Sequence, residues 1–383
     1  MRFLIIGAGR QGSACAFDLL QQPATRSVTL ADKYFGNIPP FLDWYNGGGK
    51  LDLLKLDLKD PDEVRGAMGR ADAILSAAPY FLNYDLAKLA VEAGVHFADL
   101  GGNTELVFKQ QQLNAEAERK GVKVVPDCGV APGMVNILAG EGIRRLDQVE
   151  SVRIYVGGLP QHPEPPLNYM VVYSLEGALD YYTTPSWVLR GGKRTQVEAL
   201  TELETIEFPA PLGALEAFHT GGGISTMPFS YEGKIATMEY KTLRYPGHAA
   251  IMKPIRDLGL IEDTPVDVNG SKVRPRDVFI AATAPALVKP KGEDLIALRV
   301  DVRGTKGGRP AGTRWQMVDR YDGKHHVTSM MRTTGYSLAI TGIMQLDGRI
   351  SAAGVHVPEE CVPAQPYIDE LKRRGVVIEE SAL

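Results

Sequence analysis

The stretch "FLIIGAGRQG", Phe3 to Gly12, couples a short apolar run to glycines at 7, 9 and 12 in the pattern G-x-G-x-x-G. The chemistry such a pattern serves is the binding of a diphosphate. Gly7 permits a tight turn, Gly9 lets the backbone approach a pyrophosphate, and Gly12 lets helix and strand pack closely. Arg10 and Gln11 then fall in the first helical turn, whose amides face phosphate charge. Twenty residues beyond Gly12, Asp32 ends the run "VTLAD", where a carboxylate accepts from a ribose diol and repels a 2′-phosphate. NAD is therefore expected ahead of NADP, a preference that Lys33 beside it weakens.

Ligands of such sheets bind outside the carboxyl ends of the strands. By that rule Ala77–Tyr80, with Ala78 and Pro79, Asp99–Gly102, with Gly101, and Asp127–Gly129 ring the nicotinamide and its ribose. Asp57 is placed to touch the adenosine; as alternatives, Asp57 is a loop acid and Asp99 a helix cap.

The second half must bring a substrate to that crevice. "LEAFHTGGG" sets Glu216, His219 and Thr220 beside three glycines. "MEYKTLRYPGH" alternates, so Glu239, Lys241 and Leu243 face one side of a strand and Tyr240, Thr242 and Arg244 the other. Lys241 and Arg244 cannot both point inward from a flat strand. Glu164-Pro165-Pro166 and Tyr169 form a rigid loop that closes the pocket or bridges domains, and Tyr173, Tyr181, Tyr182 and Trp187 read as core. No His, Cys or acid pattern has metal-ligand spacing, so no metal is implied.

The elements that position these residues follow from periodicity. Strand-like runs at Arg2–Ile6, Ser27–Ala31, Leu51–Leu56, Ala73–Ala77, His96–Leu100 and Val122–Pro126 alternate with amphipathic stretches Gly12–Gln21, Pro61–Met68, Asn83–Glu92 and Thr104–Lys120. Strict alternation implies right-handed crossovers and a doubly wound parallel sheet, an α/β domain of the Rossmann type. Between Tyr34 and Gly49, Pro39-Pro40 and three consecutive glycines predict a loop or a broken helix. After about Leu146 the texture predicts a second, α+β domain with a mixed sheet, including an antiparallel hairpin over Leu295–Tyr321, and Thr333–Leu346 reads as a helix that packs back on the first domain. The boundaries drawn are 1–130 for the dinucleotide domain and 131–330 for the substrate domain.

Composition agrees with a globular protein. Of 383 residues 44% are hydrophobic and 23% charged, and a net charge of -4 offers no basic stripe for nucleic acid. Cys15, Cys128 and Cys361 are odd in number and far apart, which fits a reducing cytoplasm, and no apolar run is long enough for a membrane helix.

Taken in order, "IIGAGRQG", "VTLADK", "HFADLGGN", "VVPDCGVAPGMVNILAG", "LGALEAFHTGGGISTM", "MEYKTLRYPGH" and "TTGYSLA" resemble the saccharopine dehydrogenase-like family, and among its branches the short lysine 6-dehydrogenase type. The resemblance implies NAD-dependent oxidation of the ε-amine of L-lysine to the semialdehyde, which cyclises, with release of ammonia. It also implies a first domain completed by the C-terminal segment 331–383, and a second domain that builds both the substrate site and a homo-oligomer interface. Tyr34–Gly49 departs from the family pattern on the adenine side. For that chemistry Lys241 or His219 takes a proton near neutral pH, Asp127 orients one of them or holds the ammonium, and Arg244 grips the α-carboxylate. Glu216 or Glu176 pairs with the α-ammonium, while Tyr169 and Thr220 complete the substrate contacts. Alternatives are a saccharopine reductase or carboxyspermidine-type dehydrogenase acting on a secondary amine, and a non-catalytic dinucleotide sensor.

Overall fold

A computed structural model describes the chain except residues 37 and 46, with the backbone alone at 43 and 44. The first part supplies β1 (Arg2–Ile6), β2 (Ser27–Asp32), β3 (Leu51–Lys55), β4 (Ala73–Ser76), β5 (His96–Asp99) and β6 (Lys123–Val125). They lie in the order β3-β2-β1-β4-β5-β6 with every pair parallel. The side chains of β1 explain the unbroken apolar run. Phe3 and Ile5 enter the core beneath the helix Arg10–Leu20, whereas Leu4 and Ile6 enter a second core beneath Pro61–Met68 and Asn83–Ala93. A strand covered on both faces has no polar side to show.

Two expected elements differ in detail. The helix expected over Thr104–Lys120 is two, Thr104–Gln111 and Asn114–Lys120. The break turns Asn114 so that its side-chain oxygen accepts from the Val355 amide at 2.8 Å, tying the C-terminal segment to the sheet. Between 34 and 49 the described residues form a single helical turn, Phe41–Trp44, ended by Tyr45 in an extended conformation, with glycines 47–49 further on at φ +66°, +68° and +87°. This is the broken helix that Pro39-Pro40 predicts; positions 37 and 46 lie outside the described residues.

The second part supplies β7 (Gln148–Pro160), β8 (Ser186–Arg190), β9 (Lys193–Val197), β10 (Glu204–Phe208), β11 (Gly213–His219), β12 (Thr237–Arg244), β13 (Val266–Val268), β14 (Ser271–Val273), β15 (Asp294–Lys306) and β16 (Arg309–Arg320). Its main sheet runs β10-β11-β12-β7-β15-β16; β12 and β7 are parallel and the other neighbours antiparallel. The hairpin β15–β16 turns at Gly307-Gly308, both at positive φ, the geometry of a two-residue hairpin turn. The tail serves both sheets: β17 (Gly354–Val355) pairs with β6, and β18 (Glu379–Ala382) with β16.

The helix Ser329–Leu346 lies between the two parts. Its amino end is capped by Asp294 of the second sheet, which accepts from the amides of Ser329 at 2.6 Å and Met330 at 2.9 Å. Further along it packs on the first helix so closely that a Cβ at Gly335 would sit 2.7 Å from the Gln11 carbonyl oxygen. No helix among the described residues is long and apolar enough to cross a membrane.

Candidate active site

The glycine turn follows β1 at the point where strand order reverses between β1 and β4. Gly7 has φ +102°, and a Cβ there would meet the Ala77 carbonyl oxygen at 2.7 Å, so Ala77, Ala78 and Pro79 abut the turn. A Cβ at Gly12 would overlap the Gly7 carbonyl oxygen, whereas one at Gly9 would project into open space. Gly9 caps the helix Arg10–Leu20 without a side chain, leaving the first-turn amides at Arg10 and Gln11 free for an outside acceptor. The Gln11 side-chain oxygen is buried without a partner. An anion cradle that a methyl group would fill, beside an orphaned polar atom, fits the pyrophosphate half of a nicotinamide dinucleotide.

Asp32 ends β2 as expected, but both its oxygens already serve the backbone. One accepts from the Ala8 amide at 2.7 Å and the other from the Tyr34 amide at 3.0 Å. A carboxylate has further lone pairs, so bracing the glycine turn leaves Asp32 with acceptor capacity for another donor. Asp57 pairs with Lys33 at 2.9 Å on the surface, a hydrogen bond that lowers its pKa.

A cavity of about 190 Å³ opens between the two parts. Gln11, Gly101 and Pro132 line it from the first side, Met330 and Thr334 from the central helix, and Tyr173, Tyr181, Tyr182, Tyr240, Thr242 and Arg244 from the second. The alternation of β12 therefore resolves in favour of Arg244. Its guanidinium is buried, donates Nε–H to the Tyr182 hydroxyl at 3.2 Å and Nη1–H to the Leu243 carbonyl at 2.8 Å, and lies 4.8 Å from the centre of the Tyr169 ring. Among the described residues it has no carboxylate partner. A buried cation without a counter-ion is costly unless a ligand supplies the charge.

His219 and Lys241, expected to act on substrate, project from the opposite face of the same strands. His219 sets Nδ1 3.2 Å from the Tyr240 carbonyl and Nε2 3.1 Å from Glu202, while the Lys241 ammonium donates to the Glu202 carbonyl at 2.6 Å and pairs with Glu204 at 2.8 Å. Glu202, His219 and Glu239 have the spacing of metal ligands, but the Arg190 guanidinium stands 2.8 Å from both carboxylates and occupies their centre. Residues an odd number apart on a strand face opposite sides, so choosing Arg244 for the cavity removes Lys241 from it, and with Lys241 its neighbour across the strand pair, His219.

Glu216, expected to meet substrate, is engaged by backbone instead. Its oxygens accept from the amides of Gly247 at 2.9 Å and Ala249 at 2.6 Å, bracing the helix His248–Asp257. Glu176 is exposed and paired with Arg274 at 3.1 Å. Thr220 reaches the cavity wall only through Thr242, their hydroxyls 2.7 Å apart. Tyr169 packs beneath Arg244, its own hydroxyl buried without a partner. Conversely, Tyr173, Tyr181 and Tyr182, read from sequence as core, line the cavity. The available signal was spacing: Ala178, Tyr181 and Tyr182 share one face of the helix Leu175–Thr183.

Two acids stand behind the cavity wall. Asp99 is buried and accepts from the Gly101 amide and the Gln110 side chain at 2.7 Å each, which shapes the Gly101 loop. Burial lifts its pKa to about 6. Asp127, just past β6, adopts φ +60°, and a side chain at Gly101 would strike its carboxyl group. One Asp127 oxygen has no partner, and burial with the neighbouring Asp99 charge lifts the group to about 7, against the opposing help of Ser225.

Residues 3–125 match the family model "Saccharopine dehydrogenase NADP binding domain" and residues 129–376 match "Saccharopine dehydrogenase C-terminal domain". The saccharopine dehydrogenase [NADP(+), L-glutamate-forming] of Schizosaccharomyces pombe is 21% identical, covering 99% of this chain and 98% of its own. The mitochondrial alpha-aminoadipic semialdehyde synthase of Mus musculus is 26% identical over 68% of this chain, which spans 28% of that longer protein. Among solved structures, apo saccharopine dehydrogenase (L-Glu forming) from Saccharomyces cerevisiae superposes with a TM-score of 0.79 at 20% identity, covering 100% of this chain and 99% of that one. Homospermidine synthase from Legionella pneumophila, solved with NAD, superposes with a TM-score of 0.71 at 13% identity, covering 100% and 91%. With both halves of its length matched in order, the chain belongs to the saccharopine dehydrogenase family.

Proposed function

We propose that the protein oxidises the ε-amine of L-lysine with a nicotinamide dinucleotide, giving the semialdehyde and ammonia. The observation that carries this reading is the buried, acid-free guanidinium of Arg244, facing a small cavity beside the glycine turn. A planar cationic fork calls for a carboxylate. Among the residues that line the cavity Arg244 alone carries a full charge, which favours a ligand with one carboxylate over saccharopine with three.

The dinucleotide supplies an electron-pair acceptor at the crevice when bound. Arg244 holds the α-carboxylate, and the tyrosine walls offer ring faces to the α-ammonium and keep water scarce. Asp127 Oδ1 stands where a side chain on the cavity-lining Gly101 would be, and through that gap the ionised carboxylate takes the proton that the ε-ammonium must lose before its carbon can be oxidised. Water then adds to the resulting iminium carbon, the C–N bond breaks, and the nitrogen leaves as ammonium, taking back one of the two protons given up on the way; overall the amine carbon loses two electrons to the nicotinamide and one proton is released to solvent. The charge of Asp32 supports NAD as the partner, while the names of the relatives point to NADP.

The test is an amine panel (L-lysine, saccharopine, 6-aminohexanoate and polyamines) with each dinucleotide, followed by reduced-nicotinamide absorbance and ammonia release. Turnover of lysine with stoichiometric ammonia is expected. Turnover of saccharopine or polyamines alone overturns the substrate, and silence on every amine favours a sensor.

A further inference from the structure

His248 opens the helix His248–Asp257 and is 1% exposed, walled by Phe218, Tyr169 and Tyr182. Its Nδ1 lies 3.1 Å from the Leu167 carbonyl oxygen, which only accepts, so Nδ1 carries the hydrogen. Its Nε2 lies 2.9 Å from the Tyr182 hydroxyl. Burial and the nearby Arg244 charge hold the imidazole neutral, with a pKa pushed down to about 3, so Nε2 is bare. The Tyr182 hydrogen is then committed to His248, and the Tyr182 oxygen presents only lone pairs to Arg244 Nε–H at 3.2 Å.

We infer that His248 is a positioning residue: through Tyr182 it fixes the rotation of the Arg244 guanidinium and so sets affinity for the substrate carboxylate. The polarity of the chain is fully determined, Arg244 to Tyr182 to His248 to the Leu167 carbonyl, with every hydrogen assigned. With the opposite tautomer Tyr182 would turn its hydrogen toward Arg244, donor against donor. Glu216 secures the arrangement by gripping the amides on both sides of His248. The inference rests on the reading of Arg244 as the carboxylate anchor, and it adds a residue that never touches substrate.

Two measurements on the full-length protein test it. In the first, nitrogen-15 NMR of histidine-labelled, unliganded protein should show His248 as a neutral ring protonated at Nδ1 between pH 5 and 9. An Nε2–H tautomer, or an imidazolium titrating in that range, overturns the relay whatever the substrate proves to be. In the second, His248→Phe should raise KM for lysine and Kd for 6-aminohexanoate by about tenfold or more, the size of a hydrogen bond to a charged group, with kcat within about threefold, and Tyr182→Phe should raise the same Kd by a like factor. The double variant should add little to either single one. Binding of pentane-1,5-diamine, which has no carboxylate, should be unchanged, a split that general loosening of the fold would not give. Equal losses for diamine and amino acid overturn the inference. A wild-type protein that binds the diamine but neither carboxylate overturns the anchor reading instead, and the NMR result then decides the relay alone.

Discussion

Arg244 and Lys241 leave the same strand on opposite faces: the guanidinium enters the cavity, while the ammonium, 2.8 Å from Glu204, is sealed behind the sheet. Removing each should therefore fail differently. Arg244→Gln is expected to raise KM for lysine by about 100-fold, the scale of losing a charge-assisted anchor, with a smaller change in kcat. Lys241→Met should lower thermal stability by breaking a partly buried pair yet leave KM within about threefold. Steady-state kinetics beside thermal melts separate them; a larger KM effect from Lys241→Met would return the lysine to the site.

Asp127 should govern the acid side of the activity profile. Its carboxyl is raised to about 7, so it is protonated and idle below that pH, and kcat/KM should climb as pH passes through about 7. Because Asp99 sits beside it at about 6, the pair shares the titration. Asp127→Asn should flatten the limb and cut kcat by about 100-fold or more. The stability sign is the reverse. A raised acid is a group whose proton the folded state retains, so its contribution is greatest at low pH and is lost as pH rises from about 4 through 7, and the Asn variant should lose less stability over that window. A limb unchanged in Asp127→Asn assigns the base elsewhere.

The first half of the molecule was legible because β1 and its glycine turn obey local rules, with period, turn and packing all set within twelve residues. The site was not, because its cation depends on which face of β12 meets the crevice. Alternation showed that Lys241 and Arg244 diverge, but the choice is made by β7 and β11 on either side and by the helix Leu175–Thr183 over one face, all distant in sequence. Tyr182 read as core for a related reason: an aromatic ring in a helix looks alike whether it meets aliphatic side chains or a guanidinium. Glu216 was misread since a carboxylate beside glycines signals substrate as readily as a backbone brace, and only the amides of Gly247 and Ala249 decide.

Gly9 and Gly12 should respond oppositely to the same added methyl. A Cβ at Gly9 meets nothing within 4 Å, so Gly9→Ala should fold normally and lose dinucleotide affinity by about tenfold or more as the methyl fills the cradle. At Gly12, inside a helix, alanine would ordinarily stabilise by about 1 kcal/mol. Here its Cβ would overlap the Gly7 carbonyl oxygen, and the overpacking should instead destabilise by about 3 kcal/mol. Melts and fluorescence titration with the dinucleotide read both; an unstable Gly9→Ala would mean the turn, not the ligand, requires that glycine.

The choice of dinucleotide turns on Asp32 and its neighbour Lys33. The Asp32 carboxylate is pinned by two backbone amides, and a 2′-phosphate bound about 4 Å from it would meet repulsion of about 1 to 4 kcal/mol, enough to set a preference. Lys33 is the next residue along the chain, and its pair with Asp57 is exposed on both sides, hence worth little and easily exchanged. Wild type should therefore favour NAD in kcat/KM. Asp32→Ser, which keeps an acceptor for the Ala8 amide but drops the charge, should shift the NADP to NAD ratio upward by about 10- to 100-fold. Adding Lys33→Ala should take back most of that gain, since the phosphate then loses its cation. If wild type already prefers NADP, as the names of its relatives suggest, the carboxylate does not face the ribose at all, and Asp32 is solely the brace that holds Ala8 and the glycine turn.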